Sequence, residues 1–170
     1  SLVRDLLQLS ELEGKPHLEH QRELSLSELC QQLADESQPR LNEKQLTLDS
    51  QITPGISLTG DAMILKLAIG NLLENAIGFS PERGKIVFSL AVQQGDAIVQ
   101  IRDQGPGMPD YGLGRAFEHF YSLPRPNSDH KGTGLGLPLV REAAKLHDGT
   151  ANIENHPGGG CLASITLPAS

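Results

Sequence analysis

Apolar residues recur every three or four positions along GDAMILKLAIGNLLENAIGFSP: Ile64, Leu65, Ala68, Ile69, Leu72, Leu73 and Ala76. That period describes a helix with a buried face. It starts near Asp61 and must stop before Pro81, because proline lacks an amide hydrogen and restricts the residue ahead of it. Two weaker stretches share the period. One carries Leu2, Val3, Leu6, Leu7, Leu9 and Leu12 and is ended by Gly14 and Pro16. The other places Leu29, Leu33 and Ala34 behind Ser27, a residue type that caps helices. A further helix is expected from about Leu135 to His147.

Elsewhere the pattern alternates. Arg22 to Leu26 reads as a short strand, and LTLDS and ISLTG as two more, split by Pro54 and Gly55. KIVFSLAVQ and AIVQIRD are longer strands joined by a tight turn at Gln94-Gly95-Asp96, a hairpin signal. TANIENH and CLASITLP form a second hairpin around Gly158 to Gly160. Residues 104–134 have little periodicity and many glycines and prolines. A loop of that length inside a compact domain is usually functional or mobile.

Strands and helices are therefore mixed, with at least two antiparallel hairpins, unlike the strict alternation of a doubly wound sheet. The expected class is α+β: a two-layer sandwich with one mixed sheet of about five strands and about three helices on one face. The opening helix reads as the tail of a preceding helical unit, which sets expected boundaries at 1–19 and 20–170.

Composition narrows the function. A chain of 170 residues suits one domain with a core, and 4% aromatics without tryptophan make that core aliphatic. The net charge of −7 argues against nucleic acid, so a polyanionic ligand would need metal, helix dipoles or local cations. Cys30 and Cys161 lie far apart and suit neither a metal cluster nor a disulfide scaffold. No run approaches the ~20 apolar residues of a membrane span, and no signal peptide is visible. The chain reads as a cytosolic piece of a longer protein whose other parts hold any membrane anchor.

Three features carry chemistry. Asn71 and Asn75, four apart, share a face of an otherwise apolar helix, where asparagine is locally unfavourable. They are either a polar solvent face or a boundary between the core and something polar, and amide oxygens suit hard cations such as Mg²⁺. Asp103 ends a strand beside Ile98, Val99 and Ile101 and wants a donor: Arg102, on the opposite face, or the amino group of a ligand. The glycines after it, in DQGPGMPD, are either a turn or backbone cleared for a ligand. Gly132-Thr133-Gly134-Leu135-Gly136-Leu137 fits neither the Walker A nor the dinucleotide pattern, but it leads into a helix, whose free N–H groups favour phosphate. Amides, acid, glycine loop and helix start, in that order along the chain, together describe a purine triphosphate with magnesium.

With these parts assembled, the chain resembles the catalytic ATP-binding domain of bacterial two-component sensor histidine kinases, with the Bergerat-type sandwich. NLLENA resembles the family's N box, DQGPGM its G1 box, FEHF its F box and GTGLGL its G2 box. FYSLPRP is similar to the Cre-type sensor kinases. The resemblance implies Mg-ATP as donor and Asn71 and Asn75 as the catalytic pair, with Asn75 on the metal. Asp103 would accept from the adenine amino group, and Gly105 and Gly107 would shape its pocket. Phe117 and Phe120 would anchor a lid over 109–131. Lys131, Gly132, Thr133, Gly134, Leu135 and Gly136 would meet the phosphates. Implied partners are the protein's own dimerisation domain and a response regulator, in a homodimer anchored in the inner membrane with this domain in the cytoplasm.

Departures from the family pattern matter too. Gly78 stands where Lys or Arg is usual, and His119 where the F box often has Arg. Arg125, His130 and Lys131 are candidate replacements for the lost charge, and Glu74 reads as a helix-surface residue. None of His17, His20, His119, His130, His147 or His156 sits in a phosphoacceptor context, so the domain is expected to donate phosphate to a histidine elsewhere. Alternatives are an ATPase of the gyrase and Hsp90 type or a nucleotide-binding module without turnover. The former places a base, glutamate, where this chain has Asn71.

Overall fold

A computed structural model gives the fold and describes residues 2–118 and 136–170. The helices are α1 (Leu2–Glu13), α2 (Leu26–Glu36), α3 (Gln38–Glu43), α4 (Ala62–Phe79), α5 (Asp110–Leu113) and α6 (Gly136–Leu146). The strands are β1 (Arg22–Ser25), β2 (Thr47–Ile52), β3 (Ser57–Gly60), β4 (Lys85–Gln93), β5 (Asp96–Arg102), β6 (Thr150–Asn155) and β7 (Cys161–Pro168). The main sheet is five-stranded, in the order β2-β4-β5-β7-β6. β2 runs parallel to β4 and the other neighbours are antiparallel, so the sheet is mixed as expected.

The β4–β5 hairpin shows how local sequence sets register. Gln94 and Gly95 both have positive φ, 52° and 84°, which gives the turn whose twist matches the flanking strands. Phe88 then faces Ile101 and Leu90 faces Val99. These four, with Ile86 and Ala97, are buried, whereas Val87, Ser89, Ile98 and Gln100 on the other face are only half-buried. The buried face is covered by α2 against β2, α4 against β5, and α6 against β6 and β7. α4 is long and apolar enough to cross a bilayer by length and composition alone. Here it is a core helix, with Leu65, Ala68, Ile69 and Ile77 fully enclosed.

Several details differ from the sequence reading. LTLDS and ISLTG part company: β2 joins the main sheet, while β3 pairs with β1 in a separate two-stranded sheet. Ser27 does not cap α2. The cap is Ser25, whose side chain accepts from Glu28 N at 3.1 Å. Ser27 is buried and ties down the intervening turn, donating to Thr53 O at 2.6 Å and accepting from Ile56 N at 2.9 Å. α3 was not anticipated, because it is one short turn around a lone buried residue, Leu41. α1 packs on α6 with Leu9 and Leu12 buried, while Leu2, Val3, Leu6 and Leu7 stay exposed.

Candidate functional site

The site is organised along one face of α4. Asp61 caps the helix, accepting from Met63 N at 3.0 Å and Ile64 N at 3.2 Å. Asn71, Asn75 and Phe79, four apart, form a half-buried stripe toward its far end. Two other parts of the chain reach this stripe. Gly136, at the start of α6, packs so closely on Asn71 that a Cβ there would lie 3.4 Å from Asn71 Oδ1. At the other end Gly105 lies against the Phe79 carbonyl, too close for any side chain. Asn75 falls between the two contacts.

The two amides are held differently. Asn71 Nδ2 donates to Leu67 O at 2.9 Å, which fixes the amide's orientation and leaves Oδ1 turned toward the start of α6. The side-chain amide of Asn75 makes no hydrogen bond among the described residues, though the residue is half-buried. A half-buried amide without a partner suits a ligand that accepts its oxygen, as a hard cation does. Neighbouring Glu74 is half exposed and pairs with Arg40 at 2.7 Å, as a surface glutamate should.

Asp103 is buried at the end of β5. Its Oδ1 accepts from Gly105 N at 2.8 Å and Cys161 N at 3.2 Å. Its Oδ2 accepts nothing among the described residues. Arg102 does not supply the missing donor; its Nε is buried without a partner of its own. Burial raises the Asp103 carboxyl above its ordinary value, and the two backbone N–H groups oppose this. The Cys161 thiol alongside is pushed up to about 11, by burial first and then by the charge of Asp103. Cys161 is thus a neutral neighbour and no nucleophile.

Phe117 lies partly buried beside α6, with the Arg141 guanidinium 5.7 Å from its ring centroid. Phe120, Lys131, Gly132, Thr133, Gly134 and Leu135, with His119, Arg125 and His130, lie outside the described residues. Among those described, Asn71, Asn75, Asp103, Gly105 and Gly136 are brought together around α4, and Gly107 sits on the same loop with φ +76°.

Three contributors escaped the sequence reading. Lys44 reaches the end of α4 and donates to Ile77 O at 2.8 Å, Gly78 O at 3.4 Å and Ser80 O at 2.6 Å. A cation therefore does stand beside Gly78, but its N–H groups are used on helix-end carbonyls. His147 joins α6 to the cap of α4: its Nε2 accepts from Asp61 N at 3.0 Å while Nδ1 donates to Ala143 O at 2.8 Å, which requires the neutral ring. Asn155 reaches from β6 to the glycine loop. None has a spacing signal, because the contacts Lys44–α4, His147–Asp61 and Asn155–Met108 each join residues far apart in sequence.

The model of the family described as histidine kinase-, DNA gyrase B- and HSP90-like ATPase matches residues 60–170. The chain belongs to that family. Within it, the chain is 39% identical over 168 residues to the sensor protein CreC of Escherichia coli (strain K12), covering 98% of this chain and 35% of that protein. This agrees with the Cre-type resemblance of FYSLPRP. It is 33% identical over 168 residues to the sensor histidine kinase TmoS of Ectopseudomonas mendocina, covering 98% of this chain and 17% of that one. The fold also matches full-length ShkA in complex with AMPPNP, with a TM-score of 0.85, 23% identity, and coverage of 99% of this chain and 35% of that one. The catalytic domain of histidine kinase ThkA matches with a TM-score of 0.78 at 23% identity, covering 88% of this chain and 98% of that one. The chain is an ATP-binding domain of the sensor histidine kinase type, and it spans only a minor part of the curated relatives' length.

Proposed function

We propose that this domain binds Mg-ATP along α4 and donates its γ-phosphate to a histidine on an adjoining helical domain. The observation that carries the reading is the half-buried stripe of Asn71 and Asn75, met at one end by Gly136 and at the other by the Gly105 loop. Asp103 Oδ2 accepts from the adenine amino group. Gly105 and Gly107, without side chains, let the base lie against the loop. Asn75 Oδ1 holds Mg²⁺, which neutralises phosphate charge when bound. Asn71 Oδ1 faces the phosphates beside the start of α6, where free N–H groups and the helix dipole favour negative charge. Gly136 is the described end of the 131–136 segment assigned to those phosphates, and Phe117 with Phe120 anchors the lid.

No described residue on the stripe is placed to activate water, since Glu74 points into a surface ion pair. That favours transfer over hydrolysis. The expected setting is a homodimeric sensor protein, anchored in the inner membrane, with this domain in the cytoplasm. Residues 1–19 end its dimerisation unit, a response regulator receives the phosphate, and no nucleic acid is bound. The test is incubation with γ-labelled ATP, with and without a separately made dimerisation domain. Label should reach that domain's histidine and not this chain. Stable labelling of this chain alone, or no transfer, would overturn the reading.

A further inference from the structure

Asp103 N still donates to Cys161 O at 3.0 Å; beyond it the chain leaves β7, and the glycine loop needs other partners for its backbone. Its first part is tied by Asp103, through Gly105 N and Cys161 N. Its last part is tied at Met108, by Asn155 with the Cys161 thiol alongside. Asn155, the final residue of β6, accepts from Met108 N at 2.8 Å and donates Nδ2 to Met108 O at 2.7 Å. The carboxamide thus does what a neighbouring strand's peptide would do, pairing both backbone groups of one residue. The fit is close: a Cβ on Gly107 would lie 2.8 Å from Asn155 Oδ1, and Gly107 has a positive φ of 76°. The Cys161 thiol donates to the same Oδ1 at 3.7 Å.

We propose that Asn155 is a positioning residue that presets the base pocket by holding Met108 and Gly107 in place before nucleotide arrives. This rests on the reading of Asp103 as the adenine acceptor. Aspartate at 155 keeps the acceptor but loses the donor, and alanine loses both. Because the loop abuts the base and not the phosphates, removing the clamp weakens every adenine nucleotide by one factor, whatever the phosphate count or metal. Two exposed hydrogen bonds, each worth about 0.5 kcal/mol net at the exposed end of the usual range, set that factor at about five-fold.

The test is titration calorimetry of this chain and Asn155→Ala with ATP, ADP and GTP, each with and without Mg²⁺, after thermal melts show that both are folded. Expected is an equal loss of about five-fold for ATP and ADP, unchanged by Mg²⁺, with a reduced ATP-over-GTP preference. Should Asn155→Ala not fold, Asn155→Asp takes its place with the same expected direction. A folded variant that binds ATP as the parent does overturns the inference and leaves the nucleotide reading standing. A loss confined to Mg-ATP also overturns it, since the clamp would then act on the phosphate end. A parent chain with no preference for ATP over GTP removes the Asp103 reading and this inference with it.

Discussion

Asp103→Asn separates binding from folding. The change is nearly isosteric, and the remaining carbonyl oxygen can still accept from Gly105 N and Cys161 N. What changes is the second atom, Oδ2, which has no hydrogen-bond partner among the described residues and becomes a donor. A hydrogen bond to a charged group is worth about 1.5–3 kcal/mol net, so ATP should bind about 10- to 100-fold more weakly. GTP should not lose in step, because guanine presents a carbonyl where adenine presents its amino group. Stability should move the other way or stay level, since burial already disfavours the ionised carboxylate. pH has a matching sign. The raised carboxyl takes up its proton at a higher pH than an ordinary aspartate, so ATP affinity should begin to fall earlier on acidification. Calorimetry with both nucleotides and a thermal melt supply the readouts. Unchanged ATP affinity in the variant would refute the assignment, and parallel losses of affinity and melting temperature would reduce Asp103 to a structural residue.

Other positions yield distinct outcomes. Asn75→Ala should abolish most of the Mg²⁺-dependent gain in ATP affinity, and an equal loss with and without Mg²⁺ would contradict a metal role. His147 is held neutral, and burial lowers its pKa despite the Ala143 carbonyl and the charges of Asp61 and Asp148. Its contribution is fully present above the ordinary histidine value of about 6.5 and is lost as pH falls through that value toward the lower folded one. The drop in melting temperature between pH 8 and pH 5.5 should therefore shrink in His147→Gln; an undiminished drop would mean that another group is responsible. Gly160 has a φ of 80° and no room for a Cβ against the Asp103 backbone, so Gly160→Ala should destabilise by at least about 2 kcal/mol in a denaturant titration.

Much of the fold was legible because local rules and global packing agree. α4 runs from its Asp61 cap to just short of Pro81, as its period and the proline demanded. Both hairpins formed where glycine allowed positive φ, at Gly95 and at Gly159 and Gly160. The losses share a cause. β3 pairs with β1 and not with the main sheet, and the turn before it is held by Ser27 through a contact across 26 residues. Lys44 reaches α4 across 33 residues, Asn155 reaches Met108 across 47, and His147 reaches Asp61 across 86. No period or spacing encodes such contacts. Asn71, Asn75 and Asp103 stood out because each is chemically wrong for its local position: amides on an apolar helix, an acid ending a buried strand. Asn155 and Lys44, ordinary residues near turns, raised no such conflict.

The most direct measurement is an amide chemical-shift titration of the ¹⁵N-labelled chain with Mg-ATP. If one cleft gathers these groups, saturable shifts will cluster at Asn71, Asn75, the Asp103–Met108 loop and Gly136. Shifts scattered away from α4, or a folded sample whose spectrum ignores the nucleotide, would contradict it.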